Sequence, residues 1–240
     1  MKHLFIMKVG TTFPNTLKQF GDFDAWTKDA LGETELDIQI VDAEHGEPLP
    51  DIGDCAGVAV TGSHDMVTDN LPWSAAMETW IRGLLNAGAP FFGICYGHQL
   101  LAKAAGGKVG FHPGGKEIGT VSVYKLAEAE NDPIFENLPG TFLAHTTHAQ
   151  TVLELPPDAV CLAANDFEPH HAFRVGNAAW GVQFHPEYSA AIMTSYIEEQ
   201  AEELAKAGRE IRPILNTVRE TPEAASVARQ FVRIVERNLK

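Results

Sequence analysis

The chain has 240 residues, 45% of them hydrophobic, with 18 Lys and Arg against 32 Asp and Glu, for a net charge of −14. The length suits one large α/β domain with a substantial core, and the acidic balance argues against a nucleic-acid partner, whose phosphates need a basic face. Cys55, Cys95 and Cys161 are too few and too uneven for a disulfide framework and fit a reducing compartment. Met1 to Lys8 holds too short an apolar run for a signal peptide, and no segment has the apolar length to span a membrane, so the reading is a soluble cytoplasmic protein.

Leu4 to Val9 is an apolar run and reads as the first buried strand. Asn15 to Leu31 carries Leu17, Phe20, Phe23, Ala25, Trp26 and Leu31 at roughly helical spacing, with Gly21 in the middle. Leu36 to Val41 alternates as a second strand, and Glu44 to Asp54, with two prolines and two glycines, is a loop. Ala56 to Val60 is a third strand ending at Thr61-Gly62-Ser63. A polar loop leads from Ser63 to a helix over Trp73 to Ala87, with Met77, Trp80, Ile81 and Leu84 on its apolar face. Strands alternating with helices imply a doubly wound sheet with a parallel core. Ligands bind at the carboxyl ends of such strands, where Gly62 and Ser63 fall.

Phe91 to Ile94 reads as a short buried strand, and Leu100, Leu101, Ala104 and Ala105 repeat at helical spacing up to Gly106-Gly107. Cys95 stands at the junction, with Gly93 and Gly97 to let the backbone turn tightly. A thiol at a helix N-terminus is favoured as the nucleophilic thiolate. Lys108 to Leu126 reads as one or two strands with a turn at Pro113-Gly114-Gly115, and Asn131 to Gly140 as a connection. Thr141 to Val152 is a strand–loop unit, followed by strands at Val160 to Ala164 and Ala172 to Val175 in a hairpin-rich flank. Trp180 to Phe184 is a strand that delivers His185. His185 and Glu187 then lean to one side of an extended chain. A carboxylate there can hold one ring nitrogen and leave the other to a thiol, which is triad logic. Tyr188 to Ala207 is helical, and Glu210 to Lys240 is mostly helical with breaks near Pro213 and Pro222. Val227, Phe231, Ile234 and Val235 form a stripe expected to pack on the sheet. One domain over 1–240 is expected, with a core of about 1–190 and a helical extension of about 191–240.

G-I-C-Y-G-H-Q around Cys95, Thr147-His148, and F-H-P-E around His185 resemble the class I (triad) glutamine amidotransferases. The likeness is greatest to the glutaminase domain of GMP synthase and its stand-alone relatives, and runs from about Ala56 to Glu187. The resemblance implies a flavodoxin-like fold, a doubly wound and mostly parallel sheet flanked by helices. It implies hydrolysis of the glutamine side-chain amide, with Cys95 attacking, His185 moving the proton and Glu187 orienting it. The oxyanion donors would be the main chain of Tyr96 and of the Gly62-Ser63 turn, Ser63 standing where the family has Gly. Gln99 matches a glutamine that helps hold the substrate. Thr147-His148-Ala149 matches an S-H-G loop at the substrate's amino-acid end, with Gln150 where the synthase domain has Asp.

No cofactor or metal is implied. The substrate would be glutamine or another γ-glutamyl compound. Only about fifty helical residues follow Glu187, so a synthase receiving the ammonia would be a separate chain. A γ-glutamyl peptidase or hydrolase with the same triad is the alternative, favoured by an open cleft beside Cys95. A binding module on a dead fold is a third reading and predicts an unreactive Cys95.

Other motifs carry less. Cys55 and Cys161 read as packing residues, and His98 as structural. His145 and His148 fall on opposite faces of a strand, His170-His171 stands alone, and no Cys/His zinc spacing exists. Gly110 to Lys116 has the spacing of a phosphate loop, but Glu117 follows where Ser or Thr is needed, so nucleotide binding there is rejected.

Overall fold

The computed structural model describes residues 2–239. Among the described residues, eleven strands and eight α-helices follow one another. The first half of the chain holds β1 (His3–Lys8), α1 (Pro14–Phe20), α2 (Phe23–Leu31), β2 (Ile38–Asp42), β3 (Cys55–Val60), α3 (Pro72–Ala87), β4 (Phe91–Ile94) and α4 (Tyr96–Ala104). Then come β5 (Lys108–Phe111), β6 (Glu117–Lys125), β7 (Thr141–His148), β8 (Gln150–Glu154), β9 (Val160–Ala164), β10 (Ala172–Val175) and β11 (Ala179–Val182). The chain ends in α5 (Ala190–Glu199), α6 (Ala201–Lys206), α7 (Ile211–Leu215) and α8 (Pro222–Asn238).

The main sheet has the order β2-β1-β3-β4-β11-β10-β9-β6-β7. Its first five strands are parallel, and the flank from β11 to β7 is antiparallel. The central strands β3 and β4 are buried throughout, as strands covered on both faces must be. One face is covered by α3 and α4, the other by α2 and α8, whose Phe231 stacks on Phe92 with centroids 5.4 Å apart. A Cβ at Gly57 would sit 2.6 Å from Val235, so the glycine lets α8 approach the sheet closely.

Several local expectations are corrected. Asn15 to Leu31 is two helices, because Gly21 takes φ 83° and Asp22 caps a new helix by accepting from Phe23 N. Asp22 also accepts from Thr12 N and pairs with Lys8 Nζ at 3.0 Å, so it ties α2 to β1. The two strands expected around the turn at Pro113-Gly114-Gly115 are present, and they fall in different sheets: β5 joins β8 in a second sheet, while β6 joins the main one. Pro213 does not break a helix. It lies in the first turn of α7, where its missing N–H has no intrahelical acceptor to lose. The break falls at 216–221, and Pro222 opens α8.

Candidate active site

β4 ends at Ile94, and Cys95 is the N-cap of α4 with φ 49° and ψ −94°. A non-glycine residue held at positive φ stores backbone strain, a hallmark of the strand–nucleophile–helix elbow. The flanking glycines do a different job from the one expected of them. Neither has positive φ. A Cβ at Gly93 would collide with the Gly97 carbonyl, and one at Gly97 would sit 2.7 Å from the Val60 carbonyl. They let α4 start directly against β3 and β4, and Cys95 itself carries the unusual turn. Cys95 N donates to Val182 O at 2.8 Å, which fastens the elbow to β11.

β11 stops at Val182, so His185 lies beyond the strand and Pro186-Glu187 in a turn, not along an extended chain. The turn still brings the pair together: His185 Nδ1 is 2.7 Å from Glu187 Oε1. Its backbone is held by His185 N donating to His145 O at 2.8 Å. Both side chains are buried, and His185 Nε2 has no protein hydrogen-bond partner. Burial disfavours a charge on this ring, but the Glu187 carboxylate and the Cys95 sulfur outweigh it and raise the imidazole to about 10. Tyr188 stacks on the ring with centroids 4.1 Å apart and fixes its plane.

Gly62 closes the third side. A Cβ there would lie 3.2 Å from His185 Cε1 and 3.8 Å from Cys95 Cβ. Ser63 follows, its Cα packed so closely on Gly10 that a Cβ at position 10 would be 2.7 Å away. Tyr96 is the first residue of α4, so its N–H has no intrahelical acceptor. Its hydroxyl is held away by Ser74 Oγ at 2.7 Å.

A cavity of about 250 Å³ joins these groups. Ser63, Cys95, Tyr96, Gln99, Thr147, His148, Ala149 and His185 all line it. Thr147 O is 4.0 Å from Cys95 Sγ. The His148 ring is committed below the site, with Nε2 3.1 Å from Glu117 Oε2 and Nδ1 3.0 Å from Gln150 O. Gln99 Nε2 donates to Gln150 O at 2.8 Å and to Gln183 Oε1 at 3.0 Å.

Sequence reasoning passed over Gln183, whose Nε2 lies 3.5 Å from Cys95 Sγ. It shares parity with His185, which was the available signal. It also passed over an aromatic wall. His64 packs on Phe13 with centroids 4.2 Å apart, and its Nε2 is 3.2 Å from Tyr196 Oη. Burial, with the charges of Lys116 and His185, pushes the His64 ring down to about 4, so this wall is neutral. His98, fully buried and edge-on to Phe173, packs α4 on the sheet. Among the described residues no helix is long and apolar enough to cross a membrane.

A cysteine at a strained strand–helix junction on a parallel sheet, beside a histidine–carboxylate pair, is an arrangement that suits an α/β hydrolytic enzyme. The family model for class-I glutamine amidotransferases matches residues 17–204, and the chain belongs to that family of amide-hydrolysing enzymes. The glutamine-hydrolysing GMP synthase of Aeropyrum pernix is 36% identical over 142 residues, 59% of this chain and 25% of that protein. Gamma-glutamyl peptidase 4 of Arabidopsis thaliana is 31% identical over 170 residues, 70% of this chain and 67% of that protein. The crystal structure of a glutamine amidotransferase from Thermotoga maritima superposes with a TM-score of 0.78 at 25% identity, covering 98% of this chain and all of that one.

Proposed function

We propose that the chain hydrolyses γ-glutamyl amides at Cys95. The sulfur attacks the γ-carbonyl, and the oxyanion is met by the main-chain N–H groups of Tyr96 and the Gly62-Ser63 turn. His185 gives its proton to the departing nitrogen as the C–N bond breaks, leaving a γ-glutamyl thioester. Water, deprotonated by the same imidazole, releases glutamate. Glu187 holds the imidazolium in place. The observation that carries this reading is the Glu187-bound imidazole, with Nε2 unengaged, facing a cysteine at a strained elbow.

Gly62, Gln99, Thr147 and Ala149 line the glutamyl end in this reading, with the Gln99 carbonyl oxygen free to accept from the substrate's ammonium. His148 acts there by holding its loop, because both ring nitrogens are already engaged.

With glutamine as substrate, the ammonia passes to a synthase on another polypeptide. Relatives named as glutamine-hydrolysing GMP synthase, and in Methanococcus vannielii as one subunit of that enzyme, support that reading. A second reading, a γ-glutamyl peptidase, is favoured by the cavity's continuation past His185 to Phe13, His64 and Glu203, and by the gamma-glutamyl peptidase relatives. Glutamate release from glutamine and from γ-glutamyl dipeptides, compared between wild type and Cys95→Ala, tests both. Release that survives in the variant overturns the assignment of Cys95. Turnover of dipeptides well above glutamine selects the second reading.

A further inference from the structure

The hydrogen bonds beneath Cys95 fix the orientation of two buried side-chain amides. Gln150 O is a carbonyl and can only accept, so the Gln99 atom 2.8 Å from it is the NH2 group. That nitrogen has a second hydrogen, and the Gln183 atom 3.0 Å away receives it, so that atom is the Gln183 oxygen. The other end of the Gln183 amide is therefore NH2, and it faces Cys95 Sγ at 3.5 Å. Gln183 is fully buried and Gln99 nearly so, so neither amide exchanges these partners for water. The anchor is built as well. Gln150 O also accepts from His148 Nδ1, whose other nitrogen is held by Glu117, and Gln183 N donates to His171 O at 2.8 Å.

We propose that Gln183 donates a hydrogen bond to the Cys95 thiolate, and that Gln99 is the positioning residue that sets the Gln183 amide in the donating orientation. The inference rests on Cys95 being the nucleophile. A sulfur anion gains from a donor more than a neutral thiol does. The N–H needs no rearrangement as the charge forms, because Gln99 has already chosen which end of the amide faces the sulfur. Gln99 thus has two ends with two jobs: its oxygen faces substrate and its nitrogen serves the nucleophile through Gln183.

The test reads the sulfur without substrate. Alkylation of Cys95 by iodoacetamide is followed against pH in wild type, Gln183→Met and Gln99→Met, with Cys95→Ser as the blank. The other titratable groups around the sulfur and its cavity are His185, Glu187 and Tyr188 after β11, Tyr196 on α5, Tyr96 on α4, His64 and Asp65 after β3, His148 on β7, Lys116 before β6 and Glu203 on α6. They are the same in every variant. Gln183→Met is expected to move the labelling midpoint up by about one pH unit, the scale of one hydrogen bond to a charged group. Gln99→Met moves it in the same direction by less, and also raises KM for the γ-glutamyl substrate. A Gln99→Met variant that raises KM with an unmoved midpoint overturns the positioning role. An unmoved midpoint in a folded Gln183→Met overturns the donor role. Absence of glutamate release by wild type would sink the proposed function while leaving the alkylation readout intact, so the two failures are distinguishable.

Discussion

His185 Nδ1 and Glu187 Oε1 lie 2.7 Å apart, although a single proline separates the two residues. The turn, closed by Tyr188 N donating back to His185 O, makes the pair a local unit that the sheet has only to place beside Cys95. Burial works against the imidazolium, and Glu187 with the Cys95 sulfur overcomes it, so the ring keeps its proton up to about 10. The proton needed by the leaving nitrogen is lost as pH rises through that value. The alkaline limb of kcat/KM is therefore expected near 10 in wild type. Glu187→Gln removes the charge that raises the ring, so the limb moves to lower pH. The activity falls by about 10²–10⁴ as the imidazole loses its orientation. pH–rate profiles of the two proteins check this, and a limb that stays in place would refute the role of Glu187.

Cys95 at φ 49° reverses the usual ranking of alanine and glycine. Alanine keeps the strained turn, whereas glycine adopts it freely. Both substitutions remove the thiol, and both are expected to abolish glutamate release. Cys95→Gly is expected to be more stable than Cys95→Ala by about 1 kcal/mol. Denaturant unfolding of the inactive pair measures the difference, and an alanine variant of equal or greater stability would mean that the elbow is unstrained.

Phe231 is fully buried and stacks on Phe92, the strand residue three positions before Cys95. Phe231→Ala removes the ring and leaves a cavity under β4, at a cost of about 3–5 kcal/mol. The residue does not line the cavity at Cys95. Folded Phe231→Ala at low temperature is therefore expected to keep near wild-type kcat/KM, while the denaturation midpoint drops sharply.

The parts of the molecule written in local patterns were legible in advance. The apolar strand before Cys95, the helix after it and the His185-Pro186-Glu187 spacing each fall within a few residues, and the structure brings Cys95 and His185 to one cavity with Glu187 behind the imidazole. What was hidden depended on contacts across long separations. Gln183 reads as an ordinary strand residue until Gln99, 84 positions earlier, turns its amide toward the sulfur. Tyr196 and Phe13 form one aromatic wall although they stand near opposite ends of the chain. The separation of β5 from β6 was equally invisible, since the glycine-rich turn between them fits a hairpin, and only the pairing of β5 with β8 decides otherwise.

Glu117 is the buried charge on which the floor of the cavity depends. Its carboxylate meets His148 Nε2 at 3.1 Å, His171 Nε2 at 3.3 Å, Asn165 Nδ2 at 2.8 Å and Thr146 Oγ1 at 3.2 Å. Burial alone would raise this carboxyl, but the hydrogen bond from His148 and the close His171 ring outweigh it and hold the group well below its ordinary 4.5. A depressed folded-state value means that the stabilisation is fully present above 4.5 and is lost as pH falls toward the folded value. Glu117→Gln keeps the shape and removes the charge, leaving the two imidazoles with a weaker acceptor. The loss near neutral pH is expected to be about 3 kcal/mol, the scale of breaking a buried pair. The gap between wild type and variant should narrow as pH is lowered past 4.5, because the wild-type carboxylate then gives up its own advantage. Urea unfolding of both proteins across that range measures the gap. A difference that stays constant with pH would show that Glu117 stabilises the site by its shape and not by its charge.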